Sequence, residues 1–248
     1  MTSYDIIGNI AILKKKDMKL AKELLKRENI KSIYEKSEKF KGRLRKATYK
    51  WLAGDKKTET FYRENNCVFF FDINKTYFSP RLATERLEIA KQVKKNEKIL
   101  VMFSGVSPYS IVIAKNSKPE KIIDIELNRE AVKYAKKNVE LNKIKNIEVI
   151  QGDVKKVVSK LKERYNRVIM ARPQLKYDFL KEAFAVSKKG TIIHFYDFRN
   201  EKDFKKSLEL VKQKVKESKK KIKILKLKKA GELAPYKFRM RIDFKVLS

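Results

Sequence analysis

The sequence predicts an α/β protein whose doubly wound, mostly parallel sheet ends in an antiparallel hairpin and follows a small α+β region. From about residue 84, short apolar runs alternate with amphipathic segments of helical period, which is typical of a parallel sheet covered by helices. The last two strand-like segments, 217–229 and 239–247, have no helical pattern between them. Before residue 78 the pattern is mixed, so we expect one unit over 1–78 and a second over 79–248.

The N-terminal unit combines strand and helix patterns. The segment "YDIIGNIAIL" (4–13) predicts two strands with a turn at Gly8-Asn9. Residues 17–28 have helical spacing, and Asp17 is the expected N-cap. Short strands are expected at 31–34, 44–53 and 67–73.

The second unit reads as a regular alternation of elements. Its strands are continuous apolar runs, as expected for strands buried on both faces of a sheet. We expect strands at 98–105, 121–127, 147–153, 167–171 and 190–198. We expect helices at 82–93, 128–142, 201–217 and near 154–163 and 176–187.

Charge is the dominant feature of the composition. The 248 residues include 63 Lys+Arg and 30 Asp+Glu, a net charge of +33. Such a surface favours a polyanion, most simply nucleic acid, through phosphate neutralisation.

No segment approaches the roughly 18 apolar residues of a membrane span. A single cysteine excludes an internal disulfide and favours an intracellular, cytoplasmic protein without a membrane partner.

Three consecutive strand ends suggest a ligand crevice. The first parallel strand runs into "MFSGVSPYS" (102–110), where Gly105 lies in a loop of the kind that binds nucleotide-like ligands. The second strand ends with Glu126, which could hold ribose hydroxyls, and the third ends with Asp153. An adenosine-type ligand suits this pair, although either carboxylate alone could be a helix cap or a solvated strand end.

Other chemistries find little support. The P-loop pattern is absent, and one His and one Cys cannot build a zinc site, so no metal is expected. His194 lies within "TIIHFY" and fits a core or interface residue better than a base. Cys67 fits a core residue.

Several segments together resemble a known family. The segments "KGRLRKATYKWLAG" (41–54), "YFSPRLATER" (77–86), "MFSGVSPYSI" (102–111) and "IELNREAVKYAKKNVELNKI" (125–144) resemble the archaeal-type tRNA (guanosine-37-N1)-methyltransferases. These belong to the Rossmann-like class I S-adenosylmethionine-dependent methyltransferases. The likeness covers nearly the whole chain in the same order, and the extra N-terminal tRNA-docking domain found in part of that family is not recognised here.

The resemblance implies roles for individual residues. Glu85 corresponds to the proposed general base for the guanine N1 proton, and Arg45 to the arginine that holds guanine O6. Both roles make chemical sense, because N1 must lose its proton and O6 gains negative charge. The alternatives are a helix-end charge for Glu85 and an ordinary basic residue for Arg45. The implied S-adenosylmethionine-contacting positions are Arg86, Phe103, Gly105, Ser107, Pro108, Glu126, Leu127, Asp153, Val154, Ala171 and Pro173.

The chain departs from the family pattern at two places. The fourth strand ends Ala171-Arg172-Pro173, where the family has Asn-Leu-Pro or Asn-Pro-Pro, so a side chain that both donates and accepts is lost. The family's Gly-Val-Gly-Pro loop is Gly-Val-Ser-Pro here, and Ser107 is expected to fit if its backbone avoids positive φ.

Three functions follow as hypotheses. The first is a monomeric tRNA methyltransferase that forms N1-methylguanosine at position 37. The second is the wybutosine-pathway aminocarboxypropyl transferase, which uses the same cofactor. The third is a tRNA-binding homologue with impaired catalysis, for which Ala171 is the main argument.

Overall fold

The structure is a computed structural model that describes residues 3–37, 48–171, 175, 177–234 and 236–248. Its N-terminal part is a four-stranded sheet in the order β1-β2-β3-β4, covered by helix α1. The elements are β1 (Tyr4–Ile7), β2 (Ile10–Leu13), α1 (Met18–Leu25), β3 (Ser32–Lys36) and β4 (Tyr49–Gly54).

The predicted turn between the first two strands is present. Gly8 has a φ of +59°, and a Cβ atom there would lie 2.0 Å from the carbonyl oxygen of Phe61. Glycine is therefore required both by backbone conformation and by space. The predicted N-cap is also confirmed, because Asp17 Oδ1 accepts a hydrogen bond from the Leu20 amide.

A β-hairpin follows, formed by β5 (Glu59–Glu64) and β6 (Cys67–Asp72). The strand β5 was not expected from the sequence. Phe69 and Phe71 of β6 are buried in the same hydrophobic cluster as Ile99 and Val101 of the large sheet. The hairpin thus shares a core with the C-terminal part of the chain, and a division of the chain near residue 78 stays a prediction.

The C-terminal part is a seven-stranded sheet in the order β12-β13-β11-β10-β7-β8-β9. Strands β7 to β11 are parallel, and β13 and β12 add to β11 as an antiparallel hairpin. The predicted fold class is confirmed. The strands are β7 (Lys98–Met102), β8 (Lys121–Glu126), β9 (Ile147–Gln151), β10 (Tyr165–Met170), β11 (Ser187–Asn200), β12 (Ile222–Ala234) and β13 (Lys237–Val246).

Helices cover both faces of this sheet. Ile99 and Val101 of β7 point into one cluster with α2, α3 and α4, while Leu100 and Met102 point into another with α5, α6 and α7. Alternate residues of one strand therefore serve two cores, which explains its unbroken apolar sequence. The helices are α2 (Ala83–Ala90), α3 (Pro108–Asn116), α4 (Arg129–Leu141), α5 (Val154–Val158), α6 (Leu180–Ala185) and α7 (Phe204–Glu217).

Two predicted helices are shorter than expected. Helix α5 ends at Val158, because the chain turns there and must begin β10 at Tyr165. Helix α6 begins only at Leu180, whose amide donates to Asp178 Oδ1. Phe179 is the N-cap residue, and its φ of +63° stops the helix from extending back through it.

The edge strand β12 is irregular. Its pairing with β13 shifts register at three places, between Ile224 and Lys226, Lys229 and Gly231, and Glu232 and Ala234. Leu225 and Leu227 are exposed on this strand.

Candidate active site

A cleft opens at the carboxyl ends of the central parallel strands. It encloses about 470 Å³ of empty space, including the part open to solvent. The predicted residues among its lining are Arg86, Phe103, Gly105, Pro108 and Ala171. The other lining residues are Tyr77, Phe78, Ser79, Leu82, Ser104, Tyr109, Tyr196 and Arg239.

The loop between β7 and α3 forms the cleft floor in an unusual backbone conformation. Phe103, Gly105 and Ser107 have φ values of +62°, +59° and +65°. The condition set for Ser107, a backbone without positive φ, is therefore not met: serine occupies a left-handed position that favours glycine. A Cβ atom at Gly105 would meet only the Tyr77 carbonyl oxygen, at 3.6 Å, so the loop leaves space above this glycine.

Glu126 is tied to this loop from the end of β8. Its two carboxylate oxygens accept backbone hydrogen bonds from Gly105 and Asn128, each 2.8 Å long. Burial raises the pKa of Glu126, while the amides of Asn128, Gly105 and Leu127 oppose that change. The carboxylate is thus positioned at the loop that forms the floor.

Asp153 caps a helix near the same sheet edge. Its Oδ1 accepts a hydrogen bond from the Lys155 amide at the start of α5, and the adjacent Val154 is buried. The Gly152 amide donates to the Glu126 carbonyl, 2.8 Å away, so the ends of β8 and β9 are adjacent as predicted. Neither Asp153 nor Val154 lines the cleft within the described chain.

Glu85 lies buried behind the cleft wall in a cluster of charge. Its Oε1 accepts hydrogen bonds from Tyr196 Oη at 2.7 Å and from Arg241 Nη1 at 2.5 Å. Lys228 Nζ lies 3.1 Å from its other oxygen. Glu85 does lie in the first turn of α2, as the helix-end alternative has it, but only 4% of its surface is exposed.

Arg86, the next residue, is also buried and paired. It donates to both carboxylate oxygens of Glu64 at 2.5 Å and to the Ser79 carbonyl oxygen at 3.0 Å. Its guanidinium also stacks on the ring of Phe78. The "SPRLATER" stretch thus places two adjacent charged residues against the cleft, each with a partner from another element.

The polar cluster around Glu85 continues through the sheet to His194. The Asp243 carboxylate accepts from Arg241 and contacts His194 Nδ1 at 2.6 Å. His194 Nε2 contacts Arg167 Nη1 at 2.7 Å, and arginine can only donate, so the proton lies on Nδ1. Burial lowers the pKa of His194, with Asp243 opposing the change. The predictions that His194 and Cys67 are core residues are confirmed by their burial.

The residues present fit an adenosine-type cofactor. Ser104 Oγ is buried at the cleft and has no hydrogen-bond partner among the described residues. Glu126 offers carboxylate oxygens suited to ribose hydroxyls at the loop that forms the floor. Arg45 and Pro173 lie outside the described residues.

Sequence reasoning missed Tyr196, Arg239 and Arg241. Cross-strand pairing puts Tyr196 opposite Arg241, on the same face of the sheet as Arg239. The alternation of polar residues in "RMRID" places Arg239 and Arg241 on one face of the strand, but such a pattern ordinarily indicates a solvent-facing side and did not reveal their burial.

Comparison with known proteins identifies the family. The TRM5/TYW2 methyltransferase domain matches residues 60–225. The chain belongs to this family. The family expected from the sequence is therefore confirmed, and with it the class I methyltransferase fold.

The similarity to individual relatives extends beyond residues 60–225. The chain is 36% identical to the tRNA (guanine(37)-N(1))-methyltransferase Trm5b of Pyrococcus abyssi, over 99% of this chain and 75% of that protein. It is also 36% identical to the tRNA (guanine(37)-N(1))/4-demethylwyosine(37)-methyltransferase Taw22 of Nanoarchaeum equitans, over 97% and 98% of the two chains.

Solved structures of the family superpose on the whole chain. The crystal structure of Pyrococcus abyssi Trm5b has a TM-score of 0.87 at 35% identity and covers 100% of this chain and 76% of that one. The complex of aTrm5 with tRNALeu has a TM-score of 0.86 at 33% identity, covering 98% and 72%.

The described residues include neither a candidate metal-binding group nor a candidate membrane-spanning helix. They contain no group of three or more His, Cys, Asp or Glu side chains placed to hold a metal ion. No helix in these same ranges has the length and apolarity needed to cross a bilayer.

Proposed function

We propose that this chain transfers a methyl group from S-adenosylmethionine to N1 of guanosine 37 in tRNA, next to the anticodon. The observation that carries the proposal is the placement of Glu85, buried and oriented by Tyr196 and Arg241 directly behind a cleft at the end of the parallel strands. Family membership and the activity of the relatives support it.

Glu85 has the role of general base. Guanine N1 carries a proton at neutral pH and must lose it as the new bond forms. The hydrogen bond from Tyr196, which lines the cleft, keeps the Glu85 carboxylate at the wall that the base would face. Arg45 is proposed to stabilise the negative charge that develops on O6.

The cofactor residues hold the donor at the cleft floor. When bound, S-adenosylmethionine supplies an electrophilic methyl group on a sulfonium. Glu126 would accept hydrogen bonds from the ribose hydroxyls, and the Gly105 loop leaves space for the nucleoside. Phe103, Ser107, Pro108, Leu127, Asp153, Val154, Ala171, Pro173 and Arg86 remain proposed contacts. The proposed enzyme is a cytoplasmic monomer that needs no metal.

The test uses purified protein, methyl-labelled cofactor and an unmodified tRNA transcript. Mass spectrometry of the digested RNA should find N1-methylguanosine at position 37, and a transcript with adenosine at that position should stay unmodified. An aminocarboxypropyl adduct would contradict the proposal and favour the wybutosine-pathway transferase. Tight tRNA binding without any adduct would favour a catalytically impaired homologue.

A further inference from the structure

Arg239 is a buried cation in the wall of the cleft. It lies on β13 with 8% of its surface exposed, and its guanidinium faces the ring of its cross-strand neighbour Phe198 at 5.3 Å. It lines the same cleft as Ala171 and Gly105. Its placement within a strand fixes its position more firmly than a loop would.

Arg239 differs from the other deeply buried arginines of the described chain in having no carboxylate partner there. Arg86 pairs with Glu64, Arg167 with Glu97, and Arg241 with Glu85. Arg239 donates a long hydrogen bond, 3.4 Å, to Tyr77 Oη. Buried charges are ordinarily paired, because their removal from water is costly.

Among the described residues, the cleft lining supplies no negative charge to offset Arg239. Its lining residues in the described ranges include two arginines and no Asp or Glu. Of the two, Arg86 is already neutralised by Glu64. Ser104 Oγ adds a buried hydroxyl without a partner in the described ranges. A ligand that brings a negative group would therefore complete this wall.

We propose that Arg239 binds the carboxylate of the methionine part of S-adenosylmethionine. This assignment rests on the proposed function and names a binding residue for its cofactor. A planar guanidinium matches a carboxylate through two parallel hydrogen bonds. The target guanine is a weaker candidate, because it is neutral before the reaction and cannot offset a buried charge in the resting complex.

The test measures binding of two cofactors by calorimetry, S-adenosylmethionine and its decarboxylated form, which lacks only the carboxylate. Arg239→Met should weaken binding of the first by about 10- to 100-fold, the range for a hydrogen-bonded charge. Binding of the second should change much less. Arg239→Lys keeps the positive charge but loses the planar guanidinium, so it should give an intermediate loss of affinity for S-adenosylmethionine.

Lys245→Met is the matched control, since it removes one positive charge from an exposed position of the same strand. It should leave both affinities unchanged. Equal losses for both ligands in Arg239→Met would overturn the assignment, as would no loss for either. If binding is intact but methyl transfer to tRNA falls, the arginine serves the RNA instead. If the wild-type protein binds neither ligand, the proposed function fails as well.

Discussion

At the scale of single residues, the site depends on charged groups that are buried and held by several partners. Glu85 accepts from Tyr196 and Arg241 on one oxygen and faces Lys228 with the other. These contacts come from strands near the C-terminus, more than 100 residues away in the sequence. The fold therefore orients the Glu85 carboxylate through residues that are distant in the sequence.

Replacing Glu85 by Gln tests the base directly. Glutamine can keep the hydrogen bonds from Tyr196 and Arg241 but cannot take up a proton. We expect kcat for tRNA methylation to fall by about 10²- to 10⁴-fold, the usual contribution of a general base. Cofactor affinity, measured by calorimetry, should be nearly unchanged.

The control for this change is Glu88→Gln on the same helix. Glu88 also pairs with Arg241 and Lys228 but is partly exposed. It should retain most of the activity. Wild-type turnover in Glu85→Gln would remove Glu85 as the base.

Asp124 is another buried carboxyl group, and its titration affects the stability of the fold. It is fully buried in β8, and Ser110 Oγ donates to its Oδ1. Burial raises its pKa to about 7, although Ser107 and Ser110 act in the opposite direction. An acid with a raised pKa in the folded state contributes its full stability below the unfolded pKa of 3.8, and that contribution is lost progressively as the pH rises through the folded pKa of about 7.

Asp124→Asn removes this titration. The free energy of unfolding of the variant should therefore rise relative to wild type between pH 4.5 and 7.5, by on the order of 3 kcal/mol. Urea unfolding at several pH values measures the difference, and the exposed Asp55→Asn serves as a control. Parallel curves for Asp124→Asn and wild type would contradict the assigned pKa.

At the scale of elements, helix α4 holds the free edge of the β5–β6 hairpin. Asn138 Oδ1 accepts from the Phe70 amide at 2.7 Å, and Asn142 Oδ1 accepts from the Val68 amide at 2.9 Å. The two asparagines are four residues apart and so lie on one face of the helix. They supply the acceptors at an edge where the described residues place no further strand.

Asn138→Ala should expose the importance of that contact. The partly buried Phe70 amide would lose its acceptor, which costs about 1 kcal/mol or more. Urea unfolding measures the loss, and Glu140→Ala on the exposed side of the same helix should change stability by less than about 0.5 kcal/mol. Equal stability of Asn138→Ala and wild type would show that water or a shifted helix satisfies the amide.

Some helices and strands could be predicted from the sequence and others could not. The strands β7, β8 and β10 were predictable because continuous apolar runs have few other readings. The strand β5 was missed, since three of the six residues of "ETFYRE" are charged and no continuous apolar run marks a strand there. Among the described residues it pairs with β6. Helix α6 was placed too early, because the cap at Asp178 depends on a left-handed Phe179 that propensity disfavours.

The site was predictable to the extent that it follows strand ends. The proximity of Glu126 and Gly105 could be predicted because parallel strands bring their carboxyl ends to one edge. Arg239 was not found, because an arginine in a strand is ordinarily taken to face solvent. Its burial depends on β13 lying between β12 and β11, which no local pattern specifies.

At the scale of the whole molecule, the net charge of +33 should dominate RNA affinity. Each phosphate contact releases counterions, so the affinity for tRNA should fall by about 10³-fold or more between 50 and 200 mM salt. Filter binding across a salt series measures the slope. Affinity for S-adenosylmethionine serves as the control and should vary far less with salt. A tRNA affinity that does not change with salt would contradict an electrostatic interface.

The irregular edge strand β12 has a consequence for behaviour in concentrated solution. An open edge with exposed leucines is a template for pairing with another chain. The three register shifts break the regular row of backbone donors and acceptors, and exposed lysines such as Lys223 and Lys226 lie along the strand. A second copy approaching this edge would meet mismatched hydrogen bonds and like charge. Edge-to-edge aggregation is therefore opposed by the same lysines that make the surface basic.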